Sequence, residues 1–291
     1  MASLKEVKGR IASVNSTRKI TSAMKMVASA KLHKAQAAIE SMLPYERRLH
    51  HILTDFMSNC TEVTSPFIVK REVKKVAVVV FASNTSLCGG FNANVIRHLV
   101  DLLAEYKPLG LENILVFPVG KKVADAVRKL GFRIEGDFQH MADKPSYQEA
   151  ADLAADLMKR FLHGDVDKVE LLYNHFKSTA SQILTRETYL PIDLNNEKKE
   201  EERTIDYILE PSAEELMQEM LPKVLRMKMF TVLLDSNAAE HAARTMAMQI
   251  ATDNANELLQ ELTVMYNKSR QQSITCLLYT SPSPRDGLLS R

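Results

Sequence analysis

Cysteine is scarce in this chain: Cys60, Cys88 and Cys276 are the only three. None of them has CxxC or metal-type spacing, which points to a reducing compartment and away from a thiolate metal site. No run of 18 apolar residues occurs, so nothing reads as a membrane-spanning helix. Residues 1–10 alternate in charge around no apolar core, unlike a secretory signal. A dominant charge is missing as well, since 38 basic residues face 36 acidic ones for a net charge of +2. That balance implies no strongly ionic partner for the chain as a whole. Neither GxxxxGK[ST] nor GxGxxG is present. His50, His51, His140, His163, His175 and His241 show no ligand spacing, and no set of residues reads as a lone active site.

The most telling absence is local. Residues 223–275 contain no glycine or proline, although the chain holds 9 Gly and 10 Pro. Helix formers fill the stretch, and each breaker would cost a helix interior roughly 1 to 3 kcal/mol. At about 1.5 Å per residue the helix would extend about 80 Å, wider than a single compact domain. Leu225, Met229, Val232, Ser236, Ala239, Ala243, Met246 and Ile250 step by four and three, the spacing of a left-handed coiled-coil seam. The small middle of that seam would let a partner helix come close. After Ile250 the seam slips and resumes at Ala255, Leu258, Leu262 and Met265. Ser212 and Glu215 fit a capping box before a short segment over 216–221, with Pro222 at or near the start of the long helix.

A mate of similar length lies at the other end of the chain. Residues 3–57 carry a seam of Leu4, Val7, Ile11 and Val14, then Ile20, Met24 and Val27, then Leu32, Ala35, Ile39 and Met42. Pro44 is expected to kink this helix or to end its paired section. The two ends can pack antiparallel if the middle of the chain folds back between them. Eight basic residues (Lys5, Lys8, Arg10, Arg18, Lys19, Lys25, Lys31 and Lys34) face a single early acid, Glu6. They form either a solvated face or a contact for an acidic surface. Without interleaved aromatics before Tyr45, a nucleic-acid surface is disfavoured.

Residues 58–73 read as a linker. Beyond them, KKVAVVVFA over 74–82 is a buried strand, and a turn follows over 83–90. Helices are expected over 91–105, 121–130 and 146–162. Strands are expected over 113–119, with Pro118 near an edge, and over 132–135. The runs 168–176 and 182–190 could form a hairpin, and 204–209 could be a further strand after an acidic-basic loop. Strands alternating with helices argue an α/β domain with a largely parallel sheet. LCGGFN, residues 87–92, sits where a phosphate loop would sit. Its glycines equally fit a tight strand-to-helix turn, and Cys88 has no histidine at a spacing that recommends it as a nucleophile. The methionines Met24, Met26, Met227, Met229, Met246 and Met248 read as core, or as a soft surface for several partners.

The segments IASVNSTRKITSAMKMVASAKL (11–32), LCGGFN, EHAARTMAMQIATDN (240–254) and YNKSRQQSIT (266–275) resemble the gamma subunit of F-type ATP synthases. The resemblance covers residues 1–275. It implies a fold of the α/β class plus a long antiparallel α-helical coiled coil formed by the N- and C-terminal helices. Residues 1–57 and 212–275 would be the shaft, and 74–210 a mostly parallel, Rossmann-like foot. It implies a rotor that transmits torque between the membrane c-ring and the alpha/beta ring. The partners implied are the alpha and beta subunits, the epsilon subunit and the c-ring, with membrane association only through the complex. No cofactor, metal or nucleic acid is implied. By motif match, Met24, Arg244, Gln271 and Thr275 correspond to contacts between shaft and ring. The implied location is the cytoplasmic face of the bacterial inner membrane.

The chain departs from the family in two places. Where the family often has an Asp-basic-Gly turn, this chain has Asn84-Thr85-Ser86. After Thr275, residues 276–291 break from the family's helical tip, and Pro282, Pro284 and Gly287 forbid a long helix. This stretch resembles translated sequencing-adapter read-through and is expected to be non-native. The competing reading of the whole chain is a nucleotide-binding α/β protein with a coiled-coil oligomerisation arm.

Overall fold

The computed structural model describes residues 4–59, 65–192 and 213–280. In chain order the elements are α1 (Leu4–Asn59), β1 (Val76–Phe81), α2 (Phe91–Tyr106), β2 (Ile114–Val119), α3 (Lys121–Leu130), β3 (Arg133–Ile134), α4 (Gln139–Asp143), α5 (Tyr147–His163), β4 (Lys168–Phe176), β5 (Gln182–Leu190) and α6 (Ala213–Thr280). They fall into two compact units, residues 28–246 and residues 1–27 with 247–291. The expected strand over 204–209 and the cap residue Ser212 lie outside the described residues.

The larger unit is built on a five-stranded sheet of order β3-β2-β1-β4-β5. β1 pairs parallel with β2 and β4, and β3 pairs parallel with β2. β5 closes the edge antiparallel to β4, as a hairpin. Every residue of β1 is buried, because its two faces are both covered. Ala77, Val79 and Phe81 pack with Leu153, Leu157 and Phe161 of α5 and with Met217, Leu221 and Leu225 of α6. Val76, Val78 and Val80 pack with Val95 and Leu99 of α2 and with Val123 and Val127 of α3. Each such side chain contributes roughly 1.5 to 3 kcal/mol of hydrophobic stabilisation. Pro118 is tolerated because β3 reaches only Leu115 and Val116 of β2. At Gly120 (φ +115°), an added Cβ would stand 2.2 Å from the Ala82 carbonyl oxygen.

Pro44 lies inside α1. Pro222 lies inside α6, which runs unbroken from Ala213 and so joins the expected short segment over 216–221 to the long helix. An interior proline costs a helix about 3 kcal/mol. At Pro222 the flanking Met217, Leu221 and Leu225 are sunk into the sheet core, and that packing outweighs the cost. The first part of α6 therefore covers the sheet. Short α4 had no periodic signal in the sequence.

The polar face of the sheet edge holds a buried carboxylate. Glu170 is 2 % exposed and accepts from Arg186 Nε at 3.0 Å, Tyr106 Oη at 2.9 Å and Lys168 Nζ at 2.6 Å. Burial alone would raise its pKa, but the bonds from Arg186, Lys168 and Tyr106 outweigh burial and hold the carboxyl below its usual range. A depressed carboxylate stabilises the fold above its unfolded pKa and loses that contribution as pH falls through the folded value. Glu170→Gln is therefore expected to cost about 2 kcal/mol at pH 7, since Lys168 and Arg186 are partly solvated and can rehydrate. Urea titrations should show that deficit shrinking below about pH 4.5.

The smaller unit pairs the beginning of α1 with the end of α6. Thr21 Oγ1 lies 2.9 Å from Thr252 Oγ1, and Arg18 Nη1 donates to Asn256 Oδ1 at 3.3 Å. A step back along α1 is thus a step forward along α6, so the helices are antiparallel. Val7, Thr21, Met248, Ala255 and Leu262 are buried in this unit. The seam differs from expectation at Ile20, Val27 and Ile250, which are 60 %, 59 % and 53 % exposed, and at Leu258 and Met265, which are also exposed. Their neighbours Thr21 and Met248 point inward instead. In the larger unit the small residues of α6 serve two neighbours: Ala238 and Ala242 pack with Leu32 and Ala35 of α1, while Ala239 and Ala243 pack with Cys88 and Phe91. One residue is about 100° of helix rotation, which puts the expected Ala239–Ala243 stripe beside the turn rather than beside α1.

Candidate functional site

The turn between β1 and α2 is the most elaborated piece of backbone in the larger unit. Leu87 has φ +69° and Gly89 φ +59°, left-handed values that a side chain such as Leu rarely adopts. Asn92 holds the turn from inside: its Oδ1 accepts from Ser83 N at 3.1 Å, and its Nδ2 donates to Ser83 Oγ at 2.7 Å and Cys88 Sγ at 3.1 Å. Asn84 ties it sideways, accepting from Lys121 N and donating to the Gln139 carbonyl, both at 2.8 Å. Cys88 is 2 % exposed and sits under α6 with Ala239 and Ala243. Cys88 and Phe91 thus pack against the chain's own helix, while Thr85, Ser86, Leu87, Gly89 and Gly90 stay exposed.

Arg244 fastens the same turn from the α6 side. Its Nη1 meets Glu240 Oε1 at 2.7 Å, with only 12 % and 7 % of the two side chains exposed. Its Nη2 donates to Thr85 Oγ1 at 2.8 Å. Burial raises the Glu240 pKa, and Arg244 opposes that rise. Beside it His241 is 7 % exposed, and its Nδ1 has no partner among the described residues. Burial, reinforced by Lys31 and Arg244, lowers its pKa to about 4, so the ring is neutral at physiological pH. Thr85 stands within the Asn84-Thr85-Ser86 turn, and its hydroxyl is what Arg244 binds. Motif matching singled out Arg244 but gave no hint of Thr85 or Glu240 as its partners.

The other singled-out residues lie in the smaller unit. Met24 is half-buried on α1, while Gln271 and Thr275 are exposed on α6. Gln271 is 19 residues beyond Thr252, about 29 Å along the helix, so it is not brought together with Met24. Of the early basic residues, Arg10 pairs with Glu6 at 2.7 Å and Arg18 bonds Asn256. Lys5, Lys8, Lys19, Lys31 and Lys34 are exposed. Among the described residues no group of His, Cys, Asp and Glu could hold a metal ion, and no helix is long and apolar enough to cross a membrane.

An α/β domain braced by α6, with Cys88 and Phe91 of its glycine-rich turn packed on that helix, defines a scaffold class of protein. The family described as ATP synthase matches residues 3–278. The ATP synthase gamma chain of Phocaeicola vulgatus is 81 % identical over 277 residues, covering 94 % of this chain and 96 % of that one. The gamma chain of Bacteroides thetaiotaomicron is 62 % identical over 286 residues, again covering 94 % and 96 %. Among solved structures, the rotor of the Euglena gracilis mitochondrial ATP synthase is similar in fold, with a TM-score of 0.60 at 18 % identity, covering 93 % of this chain and 98 % of that one. The chain belongs to the ATP synthase gamma chain family.

Proposed function

We propose that this chain is the central-stalk rotor subunit of a bacterial F-type ATP synthase, passing torque between the c-ring and the alpha/beta ring. It has no active site of its own and couples proton flow to ATP synthesis or hydrolysis. The observation that carries this reading is a set of outward-facing apolar side chains on the smaller unit. Ile20, Met26, Val27 and Ile250 are 60 %, 66 %, 59 % and 53 % exposed, on helices whose pairing is already satisfied by the inward Thr21, Thr252 and Met248. Apolar side chains turned outward from a paired helix need a surrounding surface, and a ring of alpha and beta subunits supplies one. An asymmetric shaft touches each beta subunit differently, and only differential contact can bias otherwise equivalent conformations.

Met24 lies one helical turn from Thr21 and, with Gln271 and Thr275, is assigned to contacts with the ring. The exposed lysines of α1 would meet acidic loops there. Arg244 acts first on its own turn, and any contact with the ring would be made through that turn. The α/β domain would rest against the epsilon subunit and the c-ring, peripheral to the cytoplasmic face of the inner membrane. α6 continues through Thr280 and the family match through residue 278, past the expected break after Thr275.

Reconstitution tests the function. Added to a gamma-depleted complex, the chain should capture alpha and beta subunits and restore ATP-driven proton pumping. The isolated chain should give no heat of ATP binding. Micromolar ATP binding without subunit capture would establish the competing nucleotide-binding reading.

A further inference from the structure

The larger unit contains a cavity of about 440 Å³ between α1, β4 and α6, within the range of small-molecule sites. Its floor is apolar and aromatic: Ile39, Tyr173, Phe176 and Val232 line it. Its charged lining is acidic. Glu40 and Glu46 both line the cavity, and neither is ion-paired with a described residue. The two basic groups at the wall are already engaged. Lys228 Nζ meets Glu187 Oε1 at 3.0 Å, and His175 Nδ1 meets Asp235 Oδ2 at 2.6 Å. The Tyr173 phenol registers the same field. Its pKa is raised by burial first and then by Glu187, Asp235 and Glu46.

We infer that this cavity binds a small amphipathic organic amine, with its apolar body on the Ile39–Phe176–Val232 floor and ammonium groups toward Glu40 and Glu46. An ammonium carries only donors, and this wall offers acceptors. A cation also gains from the faces of Tyr173 and Phe176. A divalent metal ion does not fit, because no three acidic or histidine groups converge closely enough to ligate one among the described residues. The inference stands apart from the rotor reading, since it concerns a cavity that torque transmission does not use.

Isothermal titration calorimetry of the full chain tests it, with 1,6-diaminohexane as the probe, 1-hexanol as the uncharged control and magnesium chloride as the metal control. Saturable one-to-one binding of the diamine is expected, with neither control competing. The double variant Glu40→Gln, Glu46→Gln should bind about tenfold more weakly, each solvated charge contact being worth up to about 1 kcal/mol. Glu40 is exposed and Glu46 half-buried, and neither is ion-paired with a described residue, so the thermal unfolding of the variant should match that of the parent chain. Absence of saturable binding, equal binding by the double variant, or displacement of the diamine by magnesium would each overturn the inference. So would loss of binding on assembly into ATP synthase, which would mean that another subunit fills the cavity.

Discussion

Replacing Arg244 by alanine is expected to lower the unfolding free energy at pH 7 by roughly 3 to 5 kcal/mol, the cost of removing one partner from a buried ion pair. Glu240 is 6 % exposed, and among the described residues Arg244, at 2.7 Å, is the cation bonded to it. The guanidinium also holds Thr85 at 2.8 Å, so its loss loosens the turn as well as stranding the carboxylate. Urea denaturation measures the effect, and two further readouts identify its cause. The pKa of Glu240 is already raised by burial and rises further without Arg244. A carboxyl with a raised folded pKa is less costly when protonated, so the deficit should shrink as pH falls from 7 toward the ordinary Glu value of about 4.3. Adding Glu240→Gln to Arg244→Ala should restore a large part of the lost stability. If stability is unchanged while proton pumping is abolished, Arg244 is a contact to the ring and not a clamp on its own turn.

A second large effect is expected from Ala255→Pro. Ala255 is 8 % exposed and lies one turn from the Thr21–Thr252 contact. Proline there removes the hydrogen bond to the carbonyl of Ala251 and drives its ring into the same group, at a cost of about 3 kcal/mol or more. Unlike Pro222, this position has no sheet core beneath it to offset that cost. A helix bent at this level yields under load, so the assembled complex should still hydrolyse ATP while proton pumping falls nearly to zero. Gln260→Ala, at an exposed position nearby, should leave both activities unchanged. Full pumping by the proline variant would mean that stiffness of α6 at this level is not what carries torque.

The larger elements were readable because their signals are local. The strand runs 168–176 and 182–190 coincide with β4 and β5, and Gly131 and Gly164 closed α3 and α5 with left-handed caps. The two terminal helices were readable from length and spacing. The facing of their seams was not, because periodicity marks an apolar residue without saying whether a mate within the chain or a surface outside it will cover it. Ile20 and Val27 fit the seam by spacing yet point outward. Ala239 and Ala243 fit it too, but a turn more than 140 residues earlier in the chain takes them. That contact depends on where the sheet places residues 83–90, which no local pattern encodes. For the same reason Arg244 stood out by motif while its bonds to Thr85 and Glu240 did not, and the cavity beside Glu40 and Glu46 gave no sequence signal at all.

The central claim is that the paired chain ends turn as one with the α/β domain inside a fixed ring. Its most direct test is single-molecule observation of assembled complexes with the alpha/beta ring immobilised and a bead fixed to the α/β domain at Lys107→Cys. Under ATP the bead should rotate in one direction, in three equal steps per turn. ATP consumption with the bead stationary would contradict the account.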